Sequence, residues 1–369
     1  MSLKVIIHLG PPKTGSSAIQ NWLLQNCNEL LAKEGIFYPP HTVDTNGVSS
    51  GNVEAVFERN EDRSLTFAAK KLEQCLADAE MAGAHTLLLS SEFFFKRLEP
   101  LFVAIPDAVA LAYVRDPLET MESGYNQGVK RHYQTEVFDV PDSPKTGTLD
   151  YLDKLIRRFG ISRFVLRAYD RHRFTNQDVV SDFCEALNIT KISQPQPANI
   201  NPSYVFEALE FKRWFNQLPD TPLHHLLDRF CQGYKNGLDS FSLLSDVKRA
   251  RVRQNIQPQM LRFVEKYKLQ YGAVFLKNLA AQDNREFRKQ GISEDVFQSL
   301  LLQFLEHSGV DKEKLDKSLC EHKQSIKKQP ELYGVCAQVI GEQRLRDRKK
   351  NRFTLAAFVT KIKTMLKGF

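Results

Sequence analysis

The chain has 369 residues, 42% hydrophobic and 26% charged, which suits a globular protein of one elaborated domain or two; no apolar run approaches the roughly 20 residues that a membrane span needs. Its net charge of +7 is concentrated: from Arg344 to Phe369 nine Lys and Arg face only Asp347, so the rest of the chain is close to neutral. Six cysteines, at 27, 75, 184, 231, 320 and 336, have no metal-ligand spacing, which predicts reduced thiols and no metal site.

The first apolar run, Leu3 to Ile7, is rich in β-branched residues and predicts a strand. It is too short for a secretory leader, so a cytoplasmic location is expected. Gly10-Pro11-Pro12-Lys13-Thr14-Gly15-Ser16-Ser17 follows, and then a helical period at Ile19, Leu23 and Leu30. Strand, glycine-bearing loop and helix make a phosphate cradle: the first helical turn leaves N–H groups without partners, and the helix dipole is positive there. Gly10 and Gly15 keep the spacing of the nucleoside-triphosphatase loop, but Ser16 stands where its lysine belongs and the lysine is at 13. Taken alone, the stretch is also compatible with an ordinary strand-to-helix turn.

Glu34-Gly35-Ile36-Phe37-Tyr38-Pro39-Pro40 ends the helix and is expected to turn the chain outward. The polar loop from His41 to Asn52 supplies two candidate substrate contacts, His41 and Asn52, which read equally as surface residues. Residues 62 to 83 predict a helix and His85 to Ser91 a strand, so a crossover and a parallel α/β sheet are expected. Glu92 stands just past that strand's carboxyl end, where ligands of open α/β sheets bind, and is followed by three phenylalanines. A carboxylate beside aromatics suits a general base, though it also suits a helix start.

Ala108 to Val114 predicts the next strand, ending in Arg115-Asp116-Pro117. Asp116 as N-cap, Pro117 at the first helical position and Glu119 in the first turn mark a helix start, with Ser123 two turns on and Gln127 and Lys130 beyond it. A loop from Val140 to Gly147, a helix over 148 to 159, a strand over 163 to 167 ending near Tyr169, and a helix over 177 to 188 complete this half. From Asn201 the periodicity is helical, over Tyr204–Leu218, Pro222–Tyr234, Leu243–Tyr267 and Glu294–His307, with no internal repeat. The tail sets Phe353, Phe358, Ile362 and Leu366 on one face of a basic amphipathic helix, fit to lie on an anionic membrane or to dock on the body.

Two of these stretches resemble the nucleotide motifs of sulfotransferases that use 3′-phosphoadenosine 5′-phosphosulfate (PAPS). Pro12-Lys13-Thr14-Gly15-Ser16-Ser17 is similar to the 5′-phosphosulfate loop, and Arg115-Asp116-Pro117 with Ser123 is similar to the 3′-phosphate motif. The resemblance covers roughly residues 3 to 190 and implies a P-loop-like sulfotransferase fold. It implies that Lys13 contacts the oxygen bridging sulfate and phosphate, that Thr14, Gly15, Ser16 and Ser17 hold the 5′-phosphate, and that Arg115 and Ser123 bind the 3′-phosphate. It further implies Tyr169 near the adenine, Glu92 as base, Gln127 and Lys130 toward the acceptor, PAPS as cosubstrate, and no metal. The Arg-Lys-Gly-x-x-Gly stretch of the cytosolic small-molecule enzymes is missing. Closure of the nucleotide site is thus unassigned, and the carbohydrate-type or bacterial branch is favoured, with a polysaccharide or oligosaccharide acceptor.

The expected organisation is a PAPS-binding core over 1–200, an α-helical cap or acceptor-binding extension over 201–342 and a basic tail helix over 343–369 that meets the inner face of a membrane or packs on the body. An ATP- or GTP-dependent phosphotransferase is disfavoured by the displaced lysine and by the lack of an acidic strand end for magnesium. A glycosyltransferase lacks its acidic metal motif. A non-catalytic nucleotide-binding protein on the same scaffold stays open. Nothing points to nucleic acid.

Overall fold

The computed structural model describes residues 3–43, 49–193, 203–219, 221–281 and 285–347; the basic tail from 348 onward lies outside them. The chain runs β1 (Lys4–His8), α1 (Ser16–Gln25), α2 (Cys27–Glu34), β2 (Ile36–Phe37), β3 (Phe57–Arg59), β4 (Leu65–Phe67), α3 (Ala69–Met81) and β5 (Thr86–Ser90). It continues through α4 (Leu98–Ala104), β6 (Val109–Val114), α5 (Pro117–Arg131), α6 (Gly147–Phe159), β7 (Phe164–Ala168) and α7 (Val179–Ala186). After these come α8 (Phe206–Phe215), α9 (Thr221–Gly233), β8 (Phe241–Ser242), α10 (Asp246–Lys266), α11 (Gly272–Ala281), β9 (Glu286–Phe287), α12 (Glu294–His307), α13 (Lys312–His322) and α14 (331–347).

Five strands form a parallel sheet in the order β2-β5-β1-β6-β7. All five residues of β5 and four of the five in β1 are buried, because helices cover both faces; that is why these strands read as unbroken apolar runs. From β1 the chain builds β2 and β5 on one side, then crosses to β6 and β7 on the other. The carboxyl ends of β1 and β6 therefore flank the point where winding reverses, the usual place for a ligand in such sheets.

Three local expectations change. The helical period through Ile19, Leu23 and Leu30 is carried by two helices, because the Asn26 side chain and backbone both donate to the Trp22 carbonyl, at 2.8 and 3.1 Å, and close the first one. Ile36 and Phe37 do not turn outward but pair with β5 as an edge strand. Gly35 makes this possible at φ 61°, where a Cβ would come within 2.5 Å of the His85 ring. The helix expected from 62 begins only at Ala69; residues 65–67 pair antiparallel with 57–59, and the Phe57 and Phe67 rings meet at 5.7 Å.

The chain divides into two compact units, each drawn from separate stretches: Met1–Gly124, Val140–Ile200 and Asp246–Asn284 form one, and Tyr125–Asp139, Asn201–Ser245 and Arg285–Phe369 the other. The helical stretch expected as one extension over 201–342 thus contributes to both. α10 and α11 belong with the sheet because their polar side chains meet carboxylates there: Arg253 on Asp116, Gln259 on Asp150, Lys266 on Asp153 and Asn278 on Asp170, at 2.5 to 2.7 Å. The second unit has its own aromatic core, in which Phe211, Trp214 and Phe215 of α8 pack on Phe297 of α12. Among the described residues no helix is long and apolar enough to cross a membrane.

Candidate functional site

The site lies at the carboxyl end of β1. Gly10, Lys13 and Gly15 all take left-handed φ values, 53°, 66° and 77°, so the loop curls before α1 starts. A Cβ on Gly10 would sit 3.3 Å from the Glu92 backbone nitrogen, and one on Gly15 would meet Val179 at 2.8 Å. The two glycines therefore let the loop pass close to the turn after β5 and to α7. Lys13 has no such licence, and its left-handed backbone stores strain of ~1–2 kcal/mol at the middle of the loop. The Arg115 guanidinium, from the end of β6, donates to the Lys13 carbonyl and holds it there.

The hydroxyls of the loop divide their work. Thr14 is buried and donates to the Pro11 carbonyl at 2.6 Å, bracing the loop from within. Ser16, the first residue of α1, donates to a Glu92 carboxylate oxygen at 2.5 Å. Ser17 is half-buried on the same first turn. Lys13, Glu92 and Arg115 act on one another electrostatically: burial lowers the lysine's affinity for its proton, Glu92 opposes that shift, and Arg115 adds to it. Two cations, a helix start and one carboxylate are thus gathered at the end of three neighbouring strands. Such a set has the charge and the donors that a phosphate or sulfate group requires, with a carboxylate beside them.

Glu92 is not wrapped by aromatics as expected. It is exposed, while Phe94 and Phe95 turn into the core and Ser91 caps the short 3-10 turn by accepting from Phe93 N–H. Arg115 spans Glu119, at 3.4 Å, and the ring of Tyr169, 4.8 Å from its guanidinium carbon. Tyr169 itself is 8% exposed between Tyr113 and Phe174, so its ring face serves Arg115 rather than lying open for a base. Ser123 is half-buried on α5, two turns beyond Arg115.

Asp116 caps α5 as expected, accepting from the Leu118 and Glu119 N–H groups at 3.3 Å. It is fully buried, and a residue that sequence reasoning missed answers its charge: Arg253 of α10 donates to it at 2.7 Å. The run Lys248-Arg249-Ala250-Arg251-Val252-Arg253 was the available signal, but nothing in it names the strand end it reaches.

Asn52 is not a substrate contact. It is 1% exposed; its amide oxygen accepts from Ser90 N–H at 2.8 Å and its amide nitrogen donates to the Leu88 carbonyl at 3.3 Å. β2 pairs with β5 only at Thr86 and Leu87, so the rest of that edge needs partners, and the Asn52 side chain supplies them. Gly51 must be glycine, since a Cβ would lie 1.8 Å from the Ser90 carbonyl oxygen. His41 stays at the surface with the Tyr38 hydroxyl at 2.9 Å and Ser49 at 3.3 Å. Gln127 and Lys130 belong to the second unit, where the Lys130 ammonium sits 4.6 Å from the centre of the Tyr204 ring.

All six cysteines are unpaired, and among the described residues no three His, Cys, Asp or Glu side chains are grouped to hold a metal. No protein-family model, no curated protein and no solved structure matches the chain.

Proposed function

We propose that this chain is a sulfotransferase that takes its sulfuryl group from PAPS and passes it to a hydroxyl or amine, with a carbohydrate as the preferred acceptor. The observation that carries the reading is the hydrogen bond from Arg115 to the Lys13 carbonyl, which joins the two stretches that resemble the family's phosphate motifs. The donor set fits the nucleotide's charge: Lys13, Arg115 and the first turn of α1 offer cations and N–H groups to phosphate oxygens. PAPS, when bound, supplies an activated sulfuryl group.

Lys13 Nζ stabilises negative charge developing at the oxygen of the departing nucleotide, and partial burial makes that ammonium a stronger electrostatic partner than one in water. Glu92 accepts the acceptor's proton at its carboxylate, one oxygen of which Ser16 fixes in place. Thr14 and Gly15 keep the loop in its curled form, and Arg115 with Ser123 takes the 3′-phosphate. Arg253 neutralises Asp116, which keeps that carboxylate from competing for Arg115. We read the location as cytoplasmic, with the basic tail meeting the inner face of a membrane.

Calorimetric binding of adenosine 3′,5′-bisphosphate against ADP, in the wild type and in Arg115→Ala, tests this. The expected result is clear preference for the bisphosphate and loss of that preference in the variant. Equal binding of both nucleotides, or binding of ADP only with magnesium, would overturn the proposal in favour of a phosphotransferase. Binding of neither would favour a scaffold without catalysis.

A further inference from the structure

The second unit contains a cavity of about 70 Å³ that the nucleotide reading does not use. Lys130 and Arg131 from the end of α5, Lys212 from α8, and His224, His225 and Asp228 from α9 line it. One water needs ~10–15 Å³ on such a measure, so the space admits a polyatomic ion but not a nucleotide.

The wall carries three cations against one carboxylate, which is itself held by three donors. Asp228 accepts from the Tyr204 hydroxyl, from Gln232 at 3.0 Å, and from Arg131 at 3.2 Å. Lys212 is 1% exposed, and its ammonium bonds to neutral groups: Asn216 Oδ1 at 2.5 Å, His224 Nδ1 at 3.0 Å and the Val129 carbonyl at 3.4 Å. His224 donates through Nε2 to the Leu218 carbonyl at 2.7 Å, which leaves Nδ1 as the acceptor and assigns the proton to Lys212. A buried ammonium is costly, and burial pushes Lys212 down to about 8, with the Arg131 charge adding to the shift and the Asp228 charge opposing it. An anion in the cavity would relieve this cost.

We propose that this cavity is a second anion site, built for a tetrahedral dianion such as sulfate or phosphate, with Lys130, Arg131 and His225 as its ligands and Lys212 as its buried charge. A dianion matches the excess of two positive charges on the wall, and the volume suits a group of this size. The site needs neither Lys13 nor Arg115 and stands or falls apart from the sulfotransferase reading.

Calorimetric titration of the full chain with inorganic sulfate at constant ionic strength tests it, in a Lys13→Ala/Arg115→Ala background that removes the loop site. One sulfate is expected to bind there, and at least tenfold more weakly when Lys212→Met or Lys130→Gln is added. Lys130 is only half-buried, so Lys130→Gln keeps the test valid if Lys212→Met fails to fold. Binding of sulfate but not of glucose 6-phosphate supports the site as one for the free ion; binding of both supports a group carried on a larger molecule. No sulfate binding in the double variant, no weakening by either added substitution, or equally tight binding of acetate would each overturn the proposal.

Discussion

The two collections of positive charge in this protein are built by different means. In the first unit Lys13 stands on a curled loop and Arg115 at a strand end, joined through the Lys13 carbonyl, with Glu92 close enough to stabilise the lysine's charge. In the second unit Lys130, Arg131 and Lys212 stand on two helices, and Lys212 is surrounded by an amide, an imidazole and a carbonyl. The first arrangement depends on the backbone conformation of the loop from Gly10 to Gly15, braced by Arg115 from 102 residues away, and the second on how helix faces pack. The first is therefore sensitive to single substitutions that reset φ, whereas the second is sensitive to substitutions that change burial or charge.

The largest effect that would break this comparison is expected at Lys13. Lys13→Gly removes the ammonium and also the left-handed strain, so the two consequences separate. Under the proposed function, sulfuryl transfer should fall by ~10²–10³-fold, as for loss of one charge-stabilising donor. Stability should hold or rise by about 1 kcal/mol, because glycine adopts that φ without strain. A rate assay alongside a thermal melt reads both. A folded variant with full activity would remove Lys13 from the chemistry, and a large loss of stability would show that its side chain, not its charge, organises the loop.

Asn52 sharpens the boundary between loop and site. Asn52→Ala leaves the Ser90 N–H and the Leu88 carbonyl at a buried sheet edge without their side-chain partner, which should cost ~2–3 kcal/mol in a urea unfolding curve. Affinity for adenosine 3′,5′-bisphosphate should be unchanged in the folded variant. A drop in affinity with stability intact would return Asn52 to the ligand-contacting residues.

These cases show what can be read in a chain before it is folded. β1, β5 and β6 were legible because both their faces are buried, which forces continuous apolar runs, whereas β7, at the sheet edge with Val165 exposed, was legible from the short apolar run Phe164-Val165-Leu166. The glycine-bearing loop between β1 and α1 was legible because its parts are contiguous. β2 and the β3–β4 pair were not, since strands of two or three residues carry too little periodicity and exist by virtue of the edges they cover. Asn52 looked like a loop residue because its partners lie 36 and 38 residues away. Arg253 and Lys212 were hidden for the same reason: one charge is matched across 137 residues, and the other is buried by a fold that no local pattern announces.

Two buried basic groups, His8 and Lys212, keep opposite protonation states. His8 at the end of β1 is fully buried with Ser90 Oγ at 2.8 Å, and burial pulls it from 6.5 down to about 3, so it stays neutral where Lys212 keeps its proton. The unfolded chain protonates His8 below 6.5 and the folded chain does not, so stability is full above that pH and is lost as the pH falls toward 3. At pH 5 the loss is about 2 kcal/mol, from 1.36 kcal/mol per pH unit over the 1.5 units below the unfolded value. Urea midpoints at pH 7.5 and 5 in the wild type and in His8→Leu measure it. The variant should start from a lower baseline, because Ser90 Oγ loses its partner, yet lose about 2 kcal/mol less than the wild type on acidification. Equal losses in both would mean that the folded chain protonates His8, and that the end of β1 admits charge as readily as the pocket around Lys212.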